Sequence, residues 1–292
     1  MPKRSAPRKT VQSVSIQKAQ APAPPVNLVD LRIPPEYTIY NASPEESGQF
    51  LLKGSGPESD RILIFGRGHN IGELRHSKTW FIDGTFSLVP PLSRQVYVIL
   101  AEKNSGVHPF LYVFLPNKTE ITYTRMFVMF KCLHEHIDPE IMNCDSEMAA
   151  INAIRTTFPN ARVASCFFRL VGNMTKHLGS SGLTSRYNNE ENFACFAKMI
   201  TSLASVPPGD IEGALAALAE EIPPELQPLL FGFEDNCIGR SSRRGDRLAP
   251  LLPSSLWSVY ERILGGSHRT NNHAEAAHRR LQMELNVQHP SL

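Results

Sequence analysis

Three runs dense in β-branched and aromatic residues follow one another between Thr79 and Asn117: TWFIDGTFSL, QVYVILAEK and HPFLYVFLPN. Short connections carrying Pro, Ser, Asn and Gly part them, which predicts three strands in an antiparallel meander. The rhythm then changes. In TYTRMFVMFKCLHEHI the residues Tyr123, Met126, Phe127, Phe130 and Leu133 recur at helical spacing. EIMNCD reads as a short strand ending at Asp145. SEMAAINAIRTTF follows as a second helix, with Met148, Ile151 and Ile154 on one stripe and Pro159 just beyond its end. ARVASCFF is a fifth strand and runs into RLVGNMTKHLG, a third helix stopped by Gly179. The order β-β-β-α-β-α-β-α predicts the α/β class: a mixed five-stranded sheet with helices on both faces. Right-handed crossovers allow the strand ending in Asp145 to lie beside the strand carrying Asp83.

Outside this stretch the patterns are of other kinds. Residues 186–264 hold only helical patterns, such as ENFACFAKMITSLASV and DIEGALAALAEEI, and read as an all-helical insertion. NNHAEAAHRRLQMEL forms a last helix. Upstream, FLLKGSG and DRILIFG read as two short strands with a turn between them, and NIGELRHS as a short helix. Residues 1–28 are rich in Pro, Ala, Gln and Ser, carry no acid and lack periodicity, so a disordered basic tail is expected. Its Lys3-Arg4 and Arg8-Lys9 pairs are open to two readings, a nuclear-import signal or a plain solvated tail. The expected division is therefore a tail (1–28), an accessory segment (29–78) and a main domain (79–292). Within the main domain, a core of 79–178 and 268–286 surrounds an insertion of 180–265.

Composition narrows the function classes. Hydrophobic residues make up 41% and charged residues 20%, ordinary for a soluble globular protein. No stretch approaches a membrane-spanning length, and no amino-terminal signal segment is visible. Five widely spaced cysteines, an odd number, suit reduced thiols in the cytosol or nucleus. A net charge of +2 does not announce a nucleic-acid binder, so any basic surface must come from local clustering. GRSSRRGDR gathers Arg240, Arg243, Arg244 and Arg247 in one loop, either a phosphate-contacting patch or a solvated charge run. Cys132, His134, His136 and Cys144 are zinc-type residues, but only Cys132 and His136 have good helical spacing, so no structural zinc is expected.

Three acids stand out. Asp83 interrupts the end of an apolar strand. Burying an unpaired carboxylate costs several kcal/mol, so it is either paired or metal-bound, or it accepts N–H bonds from the Gly84-Thr85 turn. Asp145 falls where a strand stops and a helix starts, which suits a helix N-cap and an active-site acid equally. Glu275 can complete a capping box with Asn272. It also shares a helix face with His278 and Arg279 by i, i+3, i+4 spacing.

FIDGTF, CDSEMAAINAI, FPNARVASCFF and RTNNHAEAAHRRLQ, with FGFEDNCIGR and LWSVYERIL between the last two, resemble the MULE (Mutator-like element) transposase domain. The resemblance implies an RNase H-like fold, a helical insertion before the last catalytic helix, and a DDE triad falling on Asp83, Asp145 and Glu275. It implies cut-and-paste DNA transposition with two Mg2+ or Mn2+ ions, hard cations that prefer oxygen ligands. Asp83 would bridge both ions, Asp145 would hold one, and Glu275 would complete the site, with Thr85, Glu147 and His278 behind them. Double-stranded DNA would be the partner, contacted by the loop arginines and by Arg269, Arg279 and Arg280. The nucleus would be the compartment, and a homodimer is expected for synapsis. One departure stands out: Arg169 in CFFRL occupies the place of the histidine in the family's Cys-x-x-His after the fifth strand. Arginine does not ligate a metal as imidazole does, though it can bind phosphate. Two alternatives stay open: a domesticated or degenerate descendant that binds DNA or chromatin without cutting, and an unrelated RNase H-like nuclease acting on RNA or repair intermediates.

Overall fold

The computed structural model describes residues 25–43, 45–240 and 247–285. The first 24 residues of the expected tail, and Arg243 and Arg244, lie outside them. Strands β1 (Ile39–Ser43) and β2 (Glu46–Gln49) form a separate antiparallel hairpin. The main sheet contains β3 (Leu51–Gly54), β4 (Leu63–Gly66), β5 (Thr79–Thr85), β6 (Gln95–Lys103), β7 (Gly106–Leu115), β8 (Ile141–Cys144) and β9 (Arg162–Ser165), in the order β3-β4-β7-β6-β5-β8-β9. Strands β5, β6 and β7 are the meander. β5, β8 and β9 run parallel.

The sheet thus has seven strands where five were expected. The two upstream strands add to the meander edge, β4 pairing antiparallel with β7. All four residues of β4 are buried, so this strand is apolar on both faces, and it covers a β7 edge that would otherwise present open backbone groups.

Helices α1 (Gly68–Leu74), α2 (Glu120–Leu133), α3 (Met148–Thr157) and α4 (Phe167–Ser180) flank the sheet and its end. Strand alternation sorts the side chains of β5. Trp80 and Ile82 join a core with Tyr123 and Phe127 of α2 and Ile151 of α3. Trp80 is fully buried and meets Phe130 and Phe158 edge-on, at 6.4 and 6.0 Å. Such pairs contribute about 0.5–1.5 kcal/mol beyond the area they bury. Phe81 faces the other side, packing with Val96, Val98, Leu100 and Ala274.

From α4 onward come α5 (Thr184–Asn189), α6 (Glu191–Ser202), α7 (Ile211–Glu221), α8 (Gln227–Phe233), a π-helical turn over Glu234–Ile238, α9 (Ser254–Trp257) and α10 (Tyr260–Leu264). They build their own core around Phe193, Ile200, Leu230, Phe233 and Trp257. Arg262 joins this region to the sheet. It is buried and donates to the carbonyls of Ser165 at the end of β9, Ser258 and Arg269. Burial pushes its pKa down to about 10. The last helix, α11 (Asn272–Leu285), lies against β5, β6 and β7. Among the described residues, no helix is long and apolar enough to cross a membrane.

Candidate active site

The register of β5 and β8 sets the site. Thr79 pairs with Ile141, Trp80 with Met142 and Phe81 with Asn143. Two residues further along each chain stand Asp83 and Asp145, brought level at the carboxyl ends of adjacent parallel strands. Asp83 stays within β5 and is only 8% exposed. Its carboxyl is pushed up to about 7, first by burial and then by the neighbouring charge of Asp145, with Arg169 and the Gly84 N–H working the other way. Gly84 N–H donates to Asp83 Oδ1 at 2.9 Å, so the expected turn bond exists beside the pairing of the two acids. Gly84 has to be small. A Cβ there would lie 2.4 Å from Gln95 Oε1.

Asp145 does not cap α3. The residue before that helix is Glu147, and no side chain caps its first turn. Instead Arg169, in the first turn of α4, grips Asp145 with two parallel bonds, Nε to Oδ1 at 2.8 Å and Nη2 to Oδ2. β9 passes into α4 through Cys166 alone, and this tight junction delivers the guanidinium to the strand ends. Glu147 is held separately: Lys118 Nζ lies 3.0 Å from its Oε2, and Tyr123 Oη donates to its Oε1 at 3.1 Å. Gln95 Nε2 donates to Tyr123 Oη at 2.7 Å. Asp83, Asp145, Glu147, Lys118 and Arg169 line one cleft of about 360 Å³.

Helix α11 meets this site with a different residue from the one expected. His278 Nδ1 lies 3.7 Å from Asp83 Oδ2. Burial pushes the His278 pKa down to about 4, so the ring is neutral and this contact is neither an ion pair nor a hydrogen bond. Glu275 is exposed and lines a second depression with Phe168, Arg279, Arg280 and Met283. The cause is the apolar stripe. Ala274, Ala277 and Leu281 pack on the Phe81 side of the sheet, and residue 278 falls at the edge of that stripe, whereas 275 turns about a third of a circle and 279 nearly half a circle from its centre. Glu275 and Arg279 therefore do not share the site-facing side with His278. The capping box with Asn272 does not form either. The helix begins at Asn272, Asn271 O receives the N–H of Ala274 and Glu275, and the Asn271 side chain donates to Ile82 O at 3.0 Å.

Among the described residues, no three His, Cys, Asp or Glu side chains stand close enough to hold one metal ion. The structure brings Asp83 to Asp145, places Glu147 in their cleft and His278 beside Asp83, and leaves Glu275 outside. Thr85 is buried, with its hydroxyl 3.1 Å from that of Ser87. Of the arginines expected to meet DNA, Arg240 is paired with Asp235, Arg280 with Glu284, and Arg247 with Glu212 and Glu234. Arg269 and Arg279 are exposed.

Residues 79–173 match the family model of the MULE transposase domain. This segment is similar to the MULE transposase domain. The match takes in the strands that carry or precede Asp83 and Asp145 and the first turn of α4 with Arg169, and it ends before Glu275. No curated protein matches the chain. Lys118, Gln95 and Tyr123 also belong to the matched segment and to the site, and sequence reasoning passed over them. For Lys118 a signal existed: it follows β7, which runs in the same direction as β5, so it emerges at the same end of the sheet. Gln95 and Tyr123 gave none, since both fall on apolar patterns.

Proposed function

We propose that the chain is a transposase-derived domain that acts on double-stranded DNA by metal-assisted phosphoryl transfer, on an RNase H-like core formed by β5 to β9. The observation that carries this reading is the pair Asp83 and Asp145, set level on adjacent parallel strands. The donor chemistry fits a divalent cation such as Mg2+ or Mn2+. Two carboxylates share a partly desolvated cleft, and burial first, with the neighbouring charge of Asp145 second, holds Asp83 protonated up to about neutral pH. Asp83 and Asp145 would hold the ion, which when bound would polarise a phosphate oxygen and activate the attacking one. The protein's own groups have separable roles. Gly84 N–H fixes the orientation of Asp83, and Tyr123 and Lys118 restrain Glu147. His278 stands beside Asp83, and Asn271 ties the start of its helix to the Ile82 carbonyl on the same strand. Exposed Arg269 and Arg279 supply sequence-independent, salt-sensitive contacts to the DNA backbone. Nuclear action and a dimeric synapse belong to the same reading.

The test is nicking of supercoiled DNA by the purified chain in Mn2+. Nicking by the parent that disappears in both Asp83→Asn and Asp145→Asn is the expected result. Intact DNA in every case removes catalysis from the proposal.

A second reading has its own observation. Glu275 stands outside the cleft and Arg169 occupies Asp145, which favours a descendant that binds DNA without cutting it. Salt-dependent DNA binding by a chain that never nicks would select this alternative.

A further inference from the structure

Arg169 deserves a role of its own, because it occupies the atoms a cation would need. Its Nε and Nη2 engage Oδ1 and Oδ2 of Asp145, so neither carboxylate oxygen is left without a donor. Asp145 is 26% exposed and the Arg169 side chain 50% exposed, so the guanidinium closes the mouth of the cleft rather than its floor. Neutralisation is arranged acid by acid. Glu147 is matched by Lys118 and Asp145 by Arg169, while Asp83 is contacted by the Gly84 N–H and the His278 imidazole and feels the Arg169 charge without a direct ion pair to it. A half-exposed ion pair is weak and exchangeable, whereas a divalent ion between two carboxylates gains from both.

We propose that Arg169 is the resident counter-cation of the Asp83–Asp145 site and sets its affinity for divalent ions by competing for Asp145. This rests on the reading of the two aspartates as a cation site. The fork of Arg169 matches a carboxylate in plane, so its departure is required before Asp145 can offer both oxygens to an ion. The arginine then regulates the loading of the site. Metal concentration, rather than protein folding, becomes the variable that opens it. The guanidinium freed in that exchange stays at the mouth, on the path of an entering phosphate group.

The experiment is direct Mn2+ binding to the full chain, followed by the electron paramagnetic resonance of free Mn2+, with thermal melting to verify folding. The proteins are the parent, Arg169→Gln, Arg169→Lys, Asp145→Asn and the double variant Arg169→Gln/Asp145→Asn. Arg169→Gln is expected to bind Mn2+ roughly five- to tenfold more tightly than the parent. Arg169→Lys, which keeps the charge and loses the fork, falls between them and serves if the glutamine variant melts early. The double variant is expected to lose the gain. Equal or weaker binding by both Arg169 variants overturns the inference while leaving the cation site standing. A gain that survives in the double variant overturns it too, because the ion is then held elsewhere. Absence of Mn2+ binding in all five proteins removes the site itself, and the inference with it.

Discussion

His278 Nδ1 stands 3.7 Å from Asp83 Oδ2, and the two groups meet as neutral partners. Burial pushes the histidine down to about 4 and the aspartic acid up to about 7. Between those values neither carries its charge, so the last helix rests against the site without a salt bridge. The site-facing position on that helix is therefore an imidazole held neutral, and the glutamate one turn earlier looks outward.

This pairing predicts two opposite pH dependences of stability in metal-free buffer. Asp83 titrates higher in the folded chain than in the unfolded one, near 3.8, so the native state holds the extra proton and stability falls as pH rises from about 4 to 7. His278 titrates lower in the folded chain than its ordinary 6.5, so stability falls as pH drops from about 6.5 to 4. Each contribution is of order 2–4 kcal/mol, and the two oppose each other over nearly the same window. Urea melts at pH 4.5 and 7.5 should show Asp83→Asn gaining stability with pH relative to the parent. His278→Asn should show the reverse. A parent and Asp83→Asn with parallel pH profiles would contradict the burial of an ionisable Asp83.

Glu275 and Asp145 should separate in their effects. With Glu275 exposed in the second depression, Glu275→Gln is expected to leave Mn2+ affinity within about twofold of the parent, the range of an exposed, unpaired change. Asp145→Asn should weaken it by roughly tenfold or more if the proposed ligand is lost. Isothermal titration with Mn2+ decides. An equal loss from Glu275→Gln would mean that α11 turns when the ion binds.

Gly84→Ala tests the crowding beside Asp83. The added methyl would meet Gln95 Oε1 at 2.4 Å and Tyr97 Cδ2 at 3.1 Å, and Gln95 is anchored to Tyr123. A loss of about 1–3 kcal/mol in urea unfolding is expected. A change below about 0.5 kcal/mol, the range of an ordinary surface substitution, would show that Gln95 yields freely.

Arg262 should be structural. Replacing it with Ala would strip the carbonyls of Ser165, Ser258 and Arg269 of a charged donor in a buried place. The expected cost is about 2–4 kcal/mol in chemical denaturation, with the melting of the helical region and the sheet becoming separable. A single unchanged transition would show that Arg262 does not couple the two cores.

Much of the strand framework was legible in the sequence, because period-two alternation and dense β-branched runs are local signals. TWFIDGTFSL, QVYVILAEK and EIMNCD each announced a strand within three residues of where it lies. DRILIFG was legible as a strand too, but not as a member of the main sheet, since strand pairing depends on which edge is left open. Asp83 and Asp145 were findable because an acid at the end of an apolar strand violates the local pattern. Arg169 was noticed only as a departure from a family, and its grip on Asp145 depends on a helix that begins one residue after β9.

By itself, the sequence determined the alternation of strands and helices, an aspartate at the end of each of two strands, and an all-helical stretch. These follow from short-range periodicity and from the cost of burying charge. Tertiary structure alone decided which side of the last helix faces the sheet. Glu275 and His278 are both compatible with the helical pattern, and the choice fell to Ala274, Ala277 and Leu281, whose packing against β5 fixes the rotation. A turn of about 100° per residue is enough to move a carboxylate from a site to solvent, and no local pattern reports the angle at which a helix docks.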